Sequence, residues 1–575
     1  MIRRFDRSGF AGLALASALI ACALPQGAGA QSLPGPAQPA PPTDRIQPPP
    51  PRTEVPTLDI QPLPGGRAPV GSETVTITIN ALDIEGATVI PQDELLALAA
   101  PDLGRPVPLS TLFDIAERMQ AEFGRRGWVL TRAIVPPQEV ADGRFRIRIV
   151  EGYVSDVIVQ GEVGPVRALI DRYLDNLRRG GPTRADDLER YMLLVNDIPG
   201  ITAQGTLRPG AENDGSSQLL VTVERDAFDG FASIDNRGSR FTGPWGGVVS
   251  GGANSFTALG ERIEGTGFST FEAGEQVFGQ IAGEVRLGSE GTWLRAFASY
   301  APAEPGYTLS VLDVETEART AGVHVWHPFV RSRRFNVNAG AGFEILDDSV
   351  DAFSGEISRD HLRMIRLRAD ASYQDDWRGL STLAVGAHFG LSGLGASRRG
   401  ALDLSRAQGE SDAAKFTAEA TRLQHLFTWQ GTSTNLFVAT TGQWTARPLL
   451  SREEFTLGGA RWGRGYAPSE LTGDMGVATM AEVQFNNGTE FTFDERDWSL
   501  QYQVYGFHDF GMVWNRDVGS PSRQSLASAG GGLRFFLDDW LSTEFEVAKP
   551  LTKQPGSRND GKSTPGYYVR VTTSF

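Results

Sequence analysis

From Phe228 to Phe575 the chain is a long series of segments of about ten residues in which apolar and polar side chains alternate. Phe335, Val337, Ala339, Ala341, Phe343 and Ile345 share one parity, and Asn336, Asn338, Gly340, Gly342 and Glu344 the other. Val477 to Phe485 repeats this, with Glu482 and Gln484 on the polar side. Gly, Asp, Asn and Ser punctuate the series. Successive side chains of a strand point to opposite faces, so each segment has one oily and one polar face. That suits a stave between lipid and a wet lumen. A soluble sandwich or propeller also alternates, but the segment lengths and the aromatic-ended last segment favour a membrane barrel. In that segment Tyr567, Val569, Val571 and Phe575 oppose Arg570, Thr572 and Ser574. Tyr567 to Phe575 is therefore expected to close the barrel, with Arg570 turned to the lumen. The region's length, at roughly 20 residues per strand and turn, allows some 16 to 18 strands.

A barrel in an outer membrane must first be exported, and the start of the chain reads as an export signal, residues 1–30. Arg3, Arg4 and Arg7 precede the apolar stretch Phe10 to Ile20, and Ala28-Gly29-Ala30 forms a small-residue cleavage site. Leu19 to Cys22 also fits a lipoprotein processing site, which would leave an acylated Cys22. Beyond the signal there is no run of about 18 apolar residues, so no transmembrane helix is expected. Lipid then leaves a closed barrel as the way to span, since every backbone polar group must be satisfied. Residues 31–73 are dense in proline, with Pro48 to Pro51 unbroken, and read as an extended linker.

Between linker and barrel the pattern is mixed α/β. Val75 to Ile79 alternates as a strand. Pro91 to Ala99 reads as a short helix with proline in its first turn. Leu109, Leu112, Ile115, Met119 and Phe123 form one helical stripe. Trp128 to Val135 and Arg144 to Glu151 follow as strands, with Asp142-Gly143 as a turn. The order β-α-α-β-β comes again: a strand at Val154 to Val159, helices at Pro165 to Leu177 and Arg184 to Val195, strands at Ile201 to Leu207 and Ser217 to Val223. Two copies of one module are expected, residues 74–152 and 153–227, before a barrel over 228–575.

Catalytic chemistry finds little support. A net charge of −15 argues against nucleic acid, whose phosphates need basic patches. One cysteine excludes an intramolecular disulfide. His324 and His327 sit at an odd spacing, on opposite faces of a strand. There is no phosphate loop, no G-x-S-x-G elbow and no paired zinc-ligand motif. Hence no enzyme, catalytic residue, cofactor, metal or nucleotide is expected. Two segments stand out instead. Phe455 to Tyr466 is glycine-rich around Arg464 and reads as a tight loop presenting a cation, unless it is an ordinary surface hairpin. In Leu500 to Trp514 the even positions Leu500, Tyr502, Val504, Phe510, Met512 and Trp514 are apolar. Asp509, of the other parity, should face the lumen, where an acid wants a partner. A loop folded inward with Arg464 would supply one.

These residues resemble the outer-membrane transporters of two-partner (type V) secretion, the haemolysin/haemagglutinin secretion and activation family. Gly127 to Arg132, Pro136-Pro137-Gln138, Asp142-Gly143 and Glu151-Gly152 are similar to its first POTRA module. Asp235 to Ser239 with Thr242-Gly243 looks like its first barrel strand. Arg464-Gly465-Tyr466 matches the loop that folds back into the lumen. Phe507, Asp509 and Gly511, within Phe507-His508-Asp509-Phe510-Gly511, match the strand motif that receives it. The resemblance implies an α+β pair of periplasmic POTRA modules followed by an antiparallel outer-membrane barrel of 16 strands, bathed in outer-membrane lipid. It implies export of one large, β-rich secreted partner, caught in the periplasm, and a charge-assisted contact between Arg464 and Asp509. Gly463 stands where the family carries an aliphatic residue, which predicts a looser loop. The proline-rich linker argues against the helical plug that members often carry. A barrel-assembly insertase and, further off, a passive porin are the alternatives.

Overall fold

The structure, a computed structural model, describes residues 33, 35–38, 40–42, 45–46, 58–60 and 68–575, except 179–180, 211–213, 273, 354 and 553–563. The expected signal peptide, Cys22 and the run Pro48 to Pro51 lie outside the described residues.

The first α+β unit is built on the strand Arg144–Val150. Ala81–Glu85 lies parallel to it and Arg132–Ile134 antiparallel. Helices Gln92–Ala97 and Ser110–Arg125 cover the sheet. The stripe Leu112, Ile115, Met119 and Phe123 is at most 1% exposed and packs on Phe145, Ile147 and Ile149. Each such buried side chain stabilises the unit by about 1.5–3 kcal/mol. The first sheet strand is Ala81–Glu85, not the expected Val75 to Ile79. Only Thr76–Thr78 is extended there, and it pairs outside the sheet with Pro106–Pro108. Both stretches alternate, but Asp83 and Glu85 meet Arg144 and Arg146 at 2.9 Å each. That charge register, together with buried Leu82 and Ile84, seats the later segment. The expected strand Trp128 to Val135 shrinks to Arg132–Ile134. Pro136 and Pro137 offer no N–H for a ladder. Gln138 continues the pairing by side chain: its Nε2 donates to the Arg146 carbonyl (2.9 Å), and the Arg146 N–H donates to its Oε1 (2.7 Å). Asp142 and Gly143 both have positive φ, 55° and 68°, the geometry of a type I′ turn.

The second unit repeats the plan. Ser216–Arg225 is central, with Tyr153–Gln160 parallel and Ile201–Pro209 antiparallel to it. Helices Arg167–Leu174 and Ala185–Asn196 cover a core around Tyr173, Leu188, Leu219 and Val221. The chain leaves the first unit through Glu151 and Gly152, which that unit holds tightly. The Glu151 carboxylate accepts from the N–H groups of Thr88 (2.6 Å) and Val89 (2.9 Å). A Cβ at Gly152 would stand 2.3 Å from the Leu130 carbonyl. Arg184 of the second unit lies over the Trp128 ring of the first, 5.3 Å from its centroid.

Residues 228–574 form a closed antiparallel barrel of sixteen strands, from Phe228–Asp235 to Gly566–Ser574. The last strand pairs with the first, from Phe231↔Ser574 to Asp235↔Arg570. Closure leaves no edge unpaired in lipid. The expected parity is visible on Arg496–Trp514, where Tyr502, Val504 and Phe510 are exposed while Tyr505, Phe507 and Asp509 are buried on the inner side. His324 and His327 are both strand residues, and they find different partners. His324 sits 3.0 Å from Glu344, and His327 pairs with the Thr292 hydroxyl at 2.8 Å.

One end of the barrel seats the second unit. Arg331 forks onto Asp197 (2.7 and 2.8 Å), and Tyr191 and Arg190 both donate to Glu290 (2.9 and 3.3 Å). Burial, reinforced by the Glu290 carboxylate, pushes the Tyr191 phenol up to about 12. It therefore stays a hydrogen-bond donor at neutral pH.

Candidate functional site

Residues 446–474 join Thr432–Thr445 to Met475–Phe493 at the barrel end away from the second unit, and fold back into the lumen. A short ribbon, Phe455–Leu457 paired with Leu471–Gly473, stiffens the loop. At its tip Arg464 is 3% exposed. Its backbone N–H donates to Asp509 Oδ2 (2.9 Å), its Nε to the same oxygen (3.2 Å), and its Nη2 to Asp509 Oδ1 (2.9 Å). The guanidinium also lies 3.4 Å from the centre of the Phe507 ring. Planar forked donors against a carboxylate, over an aromatic face, are what arginine supplies and lysine does not.

The neighbouring motif residues shape the seat. Tyr466 is buried and its hydroxyl donates to the Ala527 carbonyl (3.1 Å). A Cβ at Gly465 would stand 2.8 Å from the Pro550 nitrogen, and one at Gly511 2.5 Å from Leu457 Cδ2. At Gly465 the loop backbone lies against the wall backbone, and at Gly511 the wall makes room for the Leu457 side chain of the loop. Gly463 has φ +113°, and Leu526 occupies the place of its Cβ at 2.6 Å. A glycine is needed there, and the loosening expected from the missing aliphatic residue is not seen in the packing. Phe455, Leu457, Tyr466, Leu471, Val513 and Leu526 make a small apolar core beneath the loop.

Arg464 has acidic neighbours beyond Asp509. Its Nη1 donates to Glu482 Oε2 (2.6 Å) and lies 3.6 Å from Glu546 Oε2. Arg534 bridges Glu482 (2.7 Å) and Glu544 (2.9 Å). Arg237 reaches Glu546 (2.9 Å) with Tyr568 beneath it, and the Tyr505 hydroxyl donates to Glu544 and Glu546 (2.9 Å each). Arginines from the 446–474 loop, the first connection and the wall thus share acids from three of four consecutive strands, the fourth carrying Arg534. Of these, only Glu482 was marked by its polar parity. Glu546 and Arg534 carry no such mark, because the register that joins distant strands is not written in either of them; Arg237 lies in the Asp235 to Ser239 motif, which does not say which acid it meets. Glu544 and Glu546 do share a parity, the one available signal.

Two further contacts hold the same loop. Glu453 meets Arg366 (2.7 Å) and Lys415 (3.0 Å) from the wall. Arg406, from the connection before Ala414–Trp429, binds Glu454 (3.1 Å) and Asp474. Beside the loop remains an open space of about 760 Å³, lined among others by Glu344, Arg366, Arg368 and Lys415.

Tyr567 and Phe575, the ends of the expected closing strand, are 71% and 70% exposed on the barrel's outer surface. The Phe575 N–H donates to the Gly230 carbonyl and the Gly230 N–H to the Phe575 carbonyl, both at 3.0 Å.

Comparison with known proteins follows the same lines. A family model described as haemolysin secretion/activation protein ShlB/FhaC/HecB matches residues 215–535, more than half of the chain, and one described as POTRA domain, ShlB-type, matches residues 77–152. The heme/hemopexin transporter protein HuxB of Haemophilus influenzae (strain 86-028NP) is 23% identical, over 82% of this chain and 83% of its own. The solved structure of CdiB from Escherichia coli superposes with a TM-score of 0.70 at 19% identity, covering 88% of this chain and 92% of that one. CdiB from Acinetobacter baumannii superposes at 0.61 with 16% identity, covering 90% and 93%.

Proposed function

The chain belongs to the haemolysin secretion/activation protein family ShlB/FhaC/HecB, and from that membership we propose a route by which it exports its partner. It is an outer-membrane transporter of a secreted exoprotein, with its POTRA region in the periplasm. In our reading residues 74–152 and 153–227 are two POTRA modules, and the partner is large and β-rich. It is caught unfolded by strand addition to a module's sheet edge, the mode that suits an extended chain. It then passes through the barrel of residues 228–575, and its folding outside gives the direction. No nucleotide is needed in such a scheme. The observation that carries the reading is the buried contact of Arg464 with Asp509, a polar latch inside a lumen whose one side is fastened to the periplasmic units. An open pore needs neither the latch nor the units.

The test is genetic. The gene for a large secreted repeat protein is expressed with and without this chain, and the product is measured in medium and periplasm. The expected result is product in the medium with the chain and in the periplasm without it. Equal secretion in both strains would remove the proposal.

A further inference from the structure

Two carboxylates oppose one another on the inner wall of the barrel. Asp348, on Phe335–Ala352, and Asp360, on Gly355–Gln374, are direct partners in the ladder. Both are buried, at 7% and 3% exposed. Phe335–Ala352 starts beside the second unit, where the Arg333 N–H donates to Glu189, so Asp348 lies toward the far end, where the 446–474 loop enters. Side chains directly opposite across an antiparallel pair stand about 4.5–5.5 Å apart at Cβ, and like charges there destabilise the sheet. Burial sharpens the conflict, because a charge withdrawn from water needs a partner. One residue along, on the other face, the register sets an acid against a base instead: Asp347 meets His361 at 2.7 Å. Asp360 accepts from the N–H (3.1 Å) and the hydroxyl of Ser405. Asp348 Oδ1 is buried and has no hydrogen-bond partner among the described residues.

Both acids line one cavity of about 30 Å³, together with Ser358, Ser405, Ser451 and Arg452. A water needs some 10–15 Å³, so there is room for an ion and one water. Among the described residues of the lining Arg452 is the one cation, and its Nη2 donates to the Thr320 hydroxyl (3.4 Å). One arginine against two carboxylates leaves a negative charge in the cavity. The donors are hard oxygens, two carboxylates and three hydroxyls, with no imidazole or thiolate among the described lining residues. That set suits calcium or magnesium rather than a transition metal. Calcium tolerates irregular oxygen cages, whereas magnesium keeps several waters in a strict octahedron, for which this space is too small. Ser451 belongs to the 446–474 loop and Ser405 to the connection 391–413, and the Ser451 N–H donates to the Ser405 hydroxyl (3.2 Å). The cavity is thus where loop, connection and wall meet.

We propose that Asp348 and Asp360 hold a divalent cation of the calcium class, completed by the neighbouring serine oxygens and water, and that this ion pins the root of the 446–474 loop to the barrel wall. The cation removes the repulsion between the facing acids and supplies Asp348 Oδ1 with its partner. With only two carboxylates the site is weak, with a dissociation constant of roughly 10⁻⁴–10⁻³ M. The site needs no exported partner, so it stands apart from the export reading above.

Calorimetric titration of the chelator-treated full-length protein in detergent tests this, with calcium chloride and magnesium chloride as the probes. Calcium should bind, and magnesium roughly tenfold more weakly. No calcium binding up to about 10 mM overturns the proposal, and equal affinities overturn the calcium assignment. Asp348→Asn keeps the side chain's shape, removes its charge and breaks no hydrogen bond at Oδ1. It should weaken calcium binding roughly tenfold or more, with heat-modifiable mobility as the check that the barrel is assembled. Asp360→Asn is the second variant, should the first fail to assemble. Binding equal to the unmodified chain in an assembled variant overturns the site. Hydrogen exchange reads the clamp: calcium should slow exchange over residues 446–454 in the unmodified chain and not in Asp348→Asn. Exchange that calcium leaves unchanged overturns the pinning of the loop. Slowing by mild acid alone, with none by calcium, also overturns the proposal and assigns a proton shared by the two acids instead.

Discussion

Replacing Arg464 with alanine is expected to cut partner export roughly tenfold or more, with the barrel still assembled, because removing one member of a buried ionic cluster costs about 3–5 kcal/mol. Arg464 is 3% exposed and serves Asp509, Glu482 and Glu546 at once. Without it those carboxylates crowd one another in a site that water barely enters, and the loop tip loses its reason to stay. The loss falls on the loop-seated state rather than on the barrel, whose ladders do not pass through residue 464. Arg464→Lys should recover only part of the activity. An ammonium keeps the charge but cannot fork onto Asp509, donate to Glu482 and lie flat on Phe507 together. The measurement is partner in the medium by immunoblot, beside heat-modifiable mobility of the barrel as the check on assembly. Full export by the alanine variant would remove the loop's role.

Removing residues 566–575 should have the larger effect on assembly: barrel in the outer membrane falls below detection. The strand Gly566–Ser574 pairs on both sides, with Leu541–Pro550 and with Phe228–Asp235. Its loss exposes two rows of backbone N–H and C=O groups to lipid, and each unsatisfied group costs several kcal/mol there. Deleting Phe575 alone should lower the yield without abolishing it. It breaks the two 3.0 Å bonds to Gly230 and removes the ring that packs where a Cβ of Gly230 would lie. Fractionation and heat-modifiability read both outcomes, and normal levels of the truncated chain would contradict the closing role.

Much of the architecture was legible because alternation is a local property. The parity of Leu500 to Trp514 put Asp509 inside, and the helical stripe from Leu112 to Phe123 named the core of the first unit. Asp142-Gly143 announced a turn because both residues tolerate positive φ. Where two neighbouring stretches alternate equally well, periodicity could not choose. Ala81–Glu85 won over Val75 to Ile79 because Leu82 and Ile84 enter the core beside Phe145 and Ile147, with Asp83 and Glu85 set opposite Arg144 and Arg146, contacts made some sixty residues away. The candidate site was legible at Arg464 and Asp509, which carry motifs. It was not at Glu546 and Arg534, whose importance comes from barrel closure bringing separate strands to one place, and the motif around Arg237 does not name Glu546 as its partner. Residues 31–73 read only as an extended linker because proline-rich composition carries no period. Yet Arg45 of that stretch is buried in the barrel and donates to the Asp235 carboxylate and to the Gly243 and Pro244 carbonyls, which nothing in its own neighbourhood announces.

The central claim is that this chain alone conducts an exoprotein across a membrane. The direct measurement places the purified full-length protein in liposomes with its periplasmic units outward, adds unfolded partner without nucleotide, and assays partner protected from external protease. The account predicts protected partner with the unmodified chain and less by roughly tenfold or more with Arg464→Ala, since opening a buried ionic cluster costs about 3–5 kcal/mol. Partner that stays fully protease-sensitive, while an unrelated unfolded barrel protein is inserted into the same liposomes, would contradict it and point to an assembly insertase instead.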